Sequence, residues 1–423
     1  MDAELRNLLK KIYDEERLDE QSSRYTDLII KFEEKFGKQD YKLFSSPGRA
    51  EIGGNHTDHN HGKVIAASVN LDSIAVAYVN PNNEIILYSV GYKKPFVIKL
   101  NNIEPIEDEK GSTAALLRGI AAGFKNRGYK TGGFNAFITS DILIGSGLSS
   151  SASIEILIGT ILNHFYNDDK ITSVEIVKIG QYSENNYFGK PCGLMDQITC
   201  ATGGIIAIDF FDPEFPIIKK IDFDFSTTGY KLIVVDTEAN HSGLTEDYAA
   251  IPAEMKQVAK YFGKEYCSEI KFDDLLPEIK SIRKKISDRA ILRAIHFLKE
   301  NRRVDEQIDA LNNHNFERFL SLVNDSGDSS FKYLQNIFSP QHIHKQGLAL
   351  ALALSNIFIK QKGRGACRVH GGGFAGTILV IIQENQVEEY TRYISNLVNE
   401  VSIKVLSIRD YGAVCLDTGS RKL

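Results

Sequence analysis

Apolar positions along the chain keep two rhythms, and each predicts its own element. Residues 3–38 repeat apolar side chains at helical spacing with charges of both signs between them, which predicts a solvent-facing helical start. Residues 41–44 are a short strand candidate. From 63 to 80 the chain alternates and is rich in β-branched residues. That predicts a strand paired with 84–89 and 96–100, with the turn Pro81-Asn82-Asn83 supporting a hairpin. Residues 111–127 read as a helix. Residues 133–140, rich in Phe, Ile and Thr, read as extended, and 154–165 return to helical spacing. A further helix, 172–190, carries Glu184 and ends at Gly189-Lys190-Pro191. Strands are expected over 205–217 and 230–235 around a turn at Asp212-Pro213. From 245 to 360 the pattern is mostly helical, as over 247–262, 289–312 and 315–324. The longest apolar run, 348–359, is broken by Ser355 and Asn356. It is too short to span a bilayer and reads as a buried helix, whereas 378–382 reads as a buried strand.

A chain of 423 residues exceeds one ordinary core, so two domains are expected, with a boundary near residue 215: 1–215 and 216–423. An apolar fraction of 43% is that of a globular protein. The net charge of −5 gives no support to nucleic acid or an anionic membrane as a partner. The five cysteines are scattered, odd in number and never spaced Cys-x-x-Cys, which fits a reduced, cytoplasmic protein. Residues 1–20 are charged throughout and predict no signal peptide.

Three glycine-bearing stretches carry the candidate chemistry. The first is Gly145-Ser146-Gly147-Leu148-Ser149-Ser150-Ser151-Ala152, between the extended run and a helix. Strand, Gly/Ser turn and helix make a phosphate cradle: glycine lets the backbone approach an anion, and free N–H groups at the helix start face it. There is no Gly-Lys-Ser/Thr ending, so this is not a Walker loop, and the spacing is not that of a dinucleotide site. The bland alternative is a flexible turn that caps a helix. The second stretch, 46–62, reads as a loop by its Pro47, Gly48, Gly53, Gly54 and Gly62, and is dense in Glu51, Asn55, His56, Asp58, His59, Asn60 and His61. His56, Asp58, His59 and His61 suit a catalytic metal. They equally suit a polyol, with Asp58 accepting from vicinal hydroxyls; no distant motif completes a metal shell, which favours the polyol. The third, 363–377, includes Gly371-Gly372-Gly373 beside a strand, where a backbone can approach a ligand or another segment closely. His370 there has two readings: a phosphate contact when protonated, or a hydrogen bond that fixes the turn. Between these, Asp196-Gln197 follows Pro191-Cys192-Gly193 at the start of an apolar segment, as a partly buried carboxylate or an ordinary N-cap.

Together and in this order, the stretches resemble the galactokinase branch of the GHMP small-molecule kinases. Gly48-Arg49 through Asn60 is similar to the sugar signature, 145–152 to the phosphate motif, 192–197 to the Cys-Gly-Ile-Met-Asp-Gln segment, and 368–376 to the third motif. Weaker likeness lies at His241-Ser242 to Tyr248, 293–301 and Ser339-Pro340. The resemblance runs from about residue 40 to the C-terminus. It implies an α+β, two-domain fold: an N-terminal domain like ribosomal protein S5, a ferredoxin-like C-terminal domain, and the active site in the cleft between them. It implies an ATP-dependent sugar-1-kinase with galactose as substrate and Mg2+ as cofactor. Asp196 and Arg49 would be catalytic. Asn55, His56, Asp58, Gly193 and Tyr248 would contact sugar. Gly145, Ser146, Gly147, Leu148, Ser149, Ser150, Ser151, Ala152 and Gly372 would contact ATP, and Ser151 and Glu184 the metal. The partners implied are sugar and ATP, with no nucleic acid or membrane, in a monomer or weak homodimer.

The departures cluster in the sugar loop. Asn55 stands where the family has Glu, Glu51 where it has Asn, and His59 and His61 where it has Tyr and Gly; Leu143 replaces a proline, His370 a threonine, and no tryptophan stands near 112. A neutral Asn55 on the C6 side would tolerate a carboxylate, so a kinase of a galactose altered at C6 or C2, such as galacturonate, is one alternative. A non-catalytic galactose and ATP sensor is another, against which the intact Ser149-Ser150-Ser151-Ala152 argues.

Overall fold

The computed structural model describes residues 3–142, 147–190, 192–237, 244–374, 376–398 and 401–416. The chain opens with α1 (Ala3–Leu9) and α2 (Leu18–Phe36), then β1 (Lys42–Gly53), β2 (Lys63–Val79), β3 (Glu84–Ser89) and β4 (Phe96–Lys99). Next come α3 (Thr113–Asn126), β5 (Phe134–Ser140), α4 (Ser150–Asn167), α5 (Ser173–Ser183), α6 (Met195–Thr202), β6 (Ile205–Asp209), β7 (Ile217–Ile221) and β8 (Tyr230–Asp236). A helical stretch follows: α7 (Thr245–Tyr261), α8 (Phe272–Ile282), α9 (Asp288–Asn312), α10 (Phe316–Ser329) and α11 (Gly347–Lys362). The chain then runs through β9 (Gly365–Val369), β10 (Thr377–Gln383), α12 (Val387–Leu397), β11 (Ser402–Leu406) and β12 (Val414–Leu416).

Among the described residues the strands form two sheets. The first has the order β12-β1-β2-β5-β3-β4, with β6 on the far half of β2 and β7 beyond it. The second has the order β11-β8-β10-β9. Read from β8, it is β, helices, β, β, helix, β in the spatial order fourth, first, third, second, which is the ferredoxin-like split arrangement. The strand period of two explains how the sheets stack. On β2, Val64 and Ala66 face α3 to α6, while Ile65, Ala67 and Val69 face a second core. On β8 and β10, Leu232, Val234, Leu379 and Ile381 enter that same second core, and Ile233, Val235, Ile378, Val380 and Ile382 face α11 and α12. One apolar layer, shared with α9 and α10, therefore joins the two sheets. No described helix is long and apolar enough to cross a membrane.

Several expectations change. The strand expected over 41–44 continues to Gly53, so Pro47 and Arg49 lie inside β1 and not in a loop. Register shifts between Pro47 and Arg49 and between Glu51 and Gly53 accommodate them. The Pro81-Asn82-Asn83 turn joins β2 to β3, yet these strands do not pair: β5 lies between them, antiparallel to β2 and parallel to β3. Phe134, Ala136 and Ile138 fill the first core from that central position, a gain no tight turn outweighs. The turn at Asp212-Pro213 does close a paired hairpin, β6 with β7, whereas β8 belongs to the other sheet. The boundary placed near 215 falls inside this hairpin, and β12 returns to β1. We therefore place the division between β7 and β8, with the C-terminal strand going back to the first unit. The apolar run 348–359 forms most of α11 but is buried on one side only: Leu350 and Ile357 are exposed.

Candidate functional site

The bulge in β1 aims Arg49 across the cleft. Its Nε donates to Asp196 Oδ1 at 2.7 Å and its Nη2 to Oδ2 at 3.0 Å, while Nη1 donates to the Gly147 carbonyl. Asp196 is the second residue of α6 and not its N-cap, so the ordinary capping role is excluded. Its Oδ2 also accepts from Ser149 Oγ. Burial would raise the Asp196 carboxyl, but the Arg49 charge and the bonds from Arg49 and Ser149 hold it below its ordinary range.

Ser149 precedes α4 with φ 60° and ψ 59°, a left-handed conformation that non-glycine residues rarely adopt. Its hydroxyl is turned to Asp196 and caps no backbone N–H of α4. The first N–H groups of an 18-residue helix therefore have no cap from the Ser149 side chain, the arrangement of an anion site. Gly147, at φ 72°, has no room for a side chain: a Cβ there would meet Thr377 Oγ1 at 2.5 Å and His370 Nδ1 at 3.1 Å. Leu148 and Ala152 point into the cores and offer only backbone. Gly145 and Ser146 lie outside the described residues.

Behind this loop, Ser151 Oγ donates to Glu184 Oε1 at 3.2 Å. Glu184 opens a π turn (Glu184–Phe188) at the end of α5, and its other oxygen accepts from Gln197 Nε2 at 3.0 Å. The same nitrogen reaches Glu155 Oε2 at 2.9 Å. Burial, with the nearby Glu184 charge, pushes the Glu155 carboxyl well above its ordinary range. Among the described residues no group of three or more His, Cys, Asp or Glu converges as a metal shell. Ser151 and Glu184 instead offer two oxygens beside a helix start. That suits Mg2+, which keeps waters and phosphate oxygens and takes few protein ligands.

The sugar-loop residues part ways. Asp58 remains available: its Oδ2 faces Gly193, where a Cβ would sit only 2.7 Å away. His56 is committed. Its Nε2 donates to the Gly372 carbonyl at 2.8 Å, and its Nδ1 accepts from His59 Nε2 at 2.9 Å. Burial, reinforced by His59, drops the His56 pKa to about 3, so the ring is neutral. Two histidines expected as metal ligands thus bind each other. His61 stacks on Tyr266 at 3.6 Å between ring centroids.

Asn55 is a correction. It is fully buried, donates to Glu51 Oε1 at 2.9 Å and the Gly371 carbonyl at 2.7 Å, and accepts from Asn336 Nδ2 at 2.8 Å and Ser330 Oγ at 3.3 Å. An amide has two donors and two lone pairs, and all four are taken by protein. Asn55 has nothing left for a sugar, and the argument from its neutrality at C6 falls. Gly372 lies against the Tyr248 ring and His56, on the sugar-loop side, because Tyr248 Oη donates to the neighbouring Gly373 carbonyl at 3.0 Å. The third motif instead meets the phosphate loop through His370 and Thr377. His370 Nε2 accepts from the Glu51 N–H at 3.0 Å, and its Nδ1 lies 3.1 Å from Thr377 Oγ1. Burial, with Arg49 and Arg368 nearby, pushes the His370 pKa far down, so it fixes the turn and carries no charge to a phosphate.

Sequence reasoning missed the supports of the loop. Arg368 Nη2 pairs with Glu51 Oε1 at 2.6 Å, both buried. From α9, Glu300 accepts from the Gly54 and Asn55 N–H groups at 3.2 and 3.4 Å, and His296 Nε2 donates to the Asn55 carbonyl at 2.9 Å. Glu300 and His296 stand four apart on the buried face of α9, which also carries Phe297, Val304, Arg293 and Gln307, and polar residues on a core face were the available signal.

The chain is similar to several known proteins. Residues 115–204 match the family model "GHMP kinases N terminal domain", and residues 30–79 match "Galactokinase galactose-binding signature". A galactokinase of Clostridium tetani is 27% identical over 86% of this chain and 90% of its own. One of Clostridium acetobutylicum is 29% identical over 91% and 98%. Among solved structures, Lactococcus lactis galactokinase complexed with galactose shares the fold, with a TM-score of 0.78, 24% identity, and 92% of this chain and 99% of that one covered. Methanococcus jannaschii mevalonate kinase shares it at a TM-score of 0.63 and 21% identity, over 88% and 99%.

Proposed function

We propose that the chain is a kinase of the galactokinase branch of the GHMP family, and that it phosphorylates galactose at C1 with MgATP, giving galactose 1-phosphate and ADP. The observation that carries the reading is the bidentate Arg49–Asp196 pair, tied by Ser149 to the uncapped start of α4. Phosphoryl transfer needs positioning and charge neutralisation more than covalent catalysis.

In this reading the N–H groups of α4 and the Gly147 turn hold the triphosphate, and Asp58 accepts from sugar hydroxyls with Gly193 leaving room beside it. Ser151 and Glu184 would hold Mg2+, which neutralises phosphate charge when bound. The C1 oxygen attacks the γ-phosphorus, that O–P bond forms, and the bond to the ADP oxygen breaks with its electron pair leaving on ADP. Asp196, kept ionised below its ordinary range, orients the hydroxyl by accepting its hydrogen bond and takes the proton late, as the new bond forms. Arg49 balances the charge of Asp196 and of the moving phosphoryl group.

The test is ADP release from MgATP against galactose, galactosamine, N-acetylgalactosamine, galacturonate, glucose and arabinose. Turnover with galactose and a product phosphorylated at C1 supports the reading. Turnover confined to a C6- or C2-modified sugar keeps the mechanism and moves the substrate. ATP and sugar binding without turnover points to a sensor.

A further inference from the structure

Glu184 already holds a cation from within the chain. Lys190 Nζ lies 3.4 Å from Glu184 Oε1, the same oxygen that accepts from Ser151 Oγ. The backbone places it there. The N–H groups of Gly189 and Lys190 both donate to the Glu184 carbonyl, at 3.0 and 3.1 Å, closing the π turn through Gly189 at φ 85°. This folds the lysine stem back over the carboxylate that precedes it by one turn.

The two partners differ in freedom. The Glu184 side chain is 3% exposed and that of Lys190 is 63% exposed, so the carboxylate is fixed and the ammonium reaches it from the open side of the cleft. An ordinary surface ion pair would contribute little and mean little. Here the acid is buried, shared with a serine hydroxyl, and proposed as a metal ligand. Arg49 is bound to Asp196 at two points and to the Gly147 carbonyl, which leaves it little freedom to follow a moving charge. Lysine is a compact charge on a flexible four-carbon stem with three donors, suited to that task.

We propose that Lys190 is a phosphate-binding residue: it neutralises Glu184 before nucleotide enters, and its ammonium contacts the terminal phosphate of ATP once nucleotide is bound, with or without metal, leaving Glu184 open to Mg2+. The proposal rests on the ATP-dependent kinase reading of the same site. It makes Lys190 two things at once, a ligand for the nucleotide and a competitor for Glu184. Removing the side chain should therefore move two measurements in opposite directions, which loss of a merely structural ion pair would not do.

The experiment is calorimetric titration of ATP into wild type, Lys190→Met and Lys190→Arg, with EDTA and then at stepped Mg2+, followed by Mg2+ alone into each protein. Lys190→Met should weaken metal-free ATP binding by at least about tenfold, the scale of one charge-assisted hydrogen bond. It should also bind Mg2+ alone more tightly than wild type. Lys190→Arg should keep most of the metal-free ATP affinity. Equal metal-free affinity in wild type and Lys190→Met, or weaker Mg2+ binding in Lys190→Met, overturns the proposal. A wild type that binds no ATP overturns the kinase reading itself, whereas ATP binding indifferent to Lys190 overturns only this step. Circular dichroism of each variant confirms that it is folded.

Discussion

Arg49 on β1 and Asp196 on α6, 147 positions apart in the chain, meet through two parallel hydrogen bonds of 2.7 and 3.0 Å. A two-point contact fixes angle as well as distance. Ser149 adds a third bond to the same carboxylate, so strand, helix and phosphate loop share one anchor.

Asp196→Asn keeps the shape of that anchor and removes its charge. Turnover should fall by roughly 10²–10⁴-fold, the range of a positioned proton acceptor. ATP affinity should be nearly unchanged. Steady-state kinetics and calorimetry on one preparation check this, and full activity would mean that another carboxylate does the work.

Arg49 also sets a pH dependence. The Asp196 carboxyl is held below its ordinary 3.8, so wild-type kcat/KM should show no acid limb from it above that value. In Arg49→Ala burial acts with less opposition, and an acid limb should appear above pH 3.8, within a slower overall rate. The stability that a depressed carboxyl contributes is present above the unfolded value and lost as pH falls through the folded one. Arg49→Ala forfeits it, so its acid unfolding midpoint should rise. An unmoved limb would show that Asp196 is not the titrating group.

Gly193 and Asp58 make a steric prediction. A Cβ at Gly193 would come within 2.7 Å of Asp58 Oδ2, so Gly193→Ala must push that carboxylate aside. The sugar KM should rise about tenfold, equivalent to 1.4 kcal/mol, with the ATP KM unchanged. Both rising together would place Gly193 at the nucleotide instead.

Asn55 predicts stability without selectivity. Asn55→Ala strands the buried partners Glu51, Asn336 and Ser330 and should cost about 1–3 kcal/mol by denaturant unfolding. The ratio of kcat/KM for galactose over galacturonate should stay as in wild type. A shifted ratio would put the side chain back on the C6 side of the sugar.

Glu184→Gln removes the proposed metal charge. The Mg2+ concentration for half-maximal rate should rise roughly 10–100-fold, with the sugar KM steady. No change in Mg2+ dependence would remove Glu184 from the metal site.

Much of this was legible locally. The helices α3, α4, α9 and α11 and the strands β5 and β10 follow from periodicity, because the period of a buried face is written in consecutive residues. The ordered motifs around Arg49, Gly147 to Ala152 and Asp196 singled out the groups that the fold brings together. The pairing of β5 between β2 and β3 was not legible, since partner choice among strands depends on which core each fills. Two substitutions read singly as changes of specificity, Glu51 and Asn55, turn out to touch at 2.9 Å and to be held by Arg368 and Asn336.

By itself the sequence determined the type of chemistry: a glycine-serine turn before a helix, an aspartate and an arginine for phosphoryl transfer, and an aspartate in a hydroxyl-reading loop. The turn and the loop follow from residue type and short spacing; the roles of the aspartate and the arginine are what the family resemblance implied. The tertiary structure decided which groups remain free to act. Asp58 faces Gly193, Asn55 and His370 are taken up by protein partners, and Lys190 is folded back on Glu184. The reason is physical: a side chain's hydrogen-bonding capacity is finite, and for Asn55 and His370 much of what fills it comes from segments hundreds of residues away.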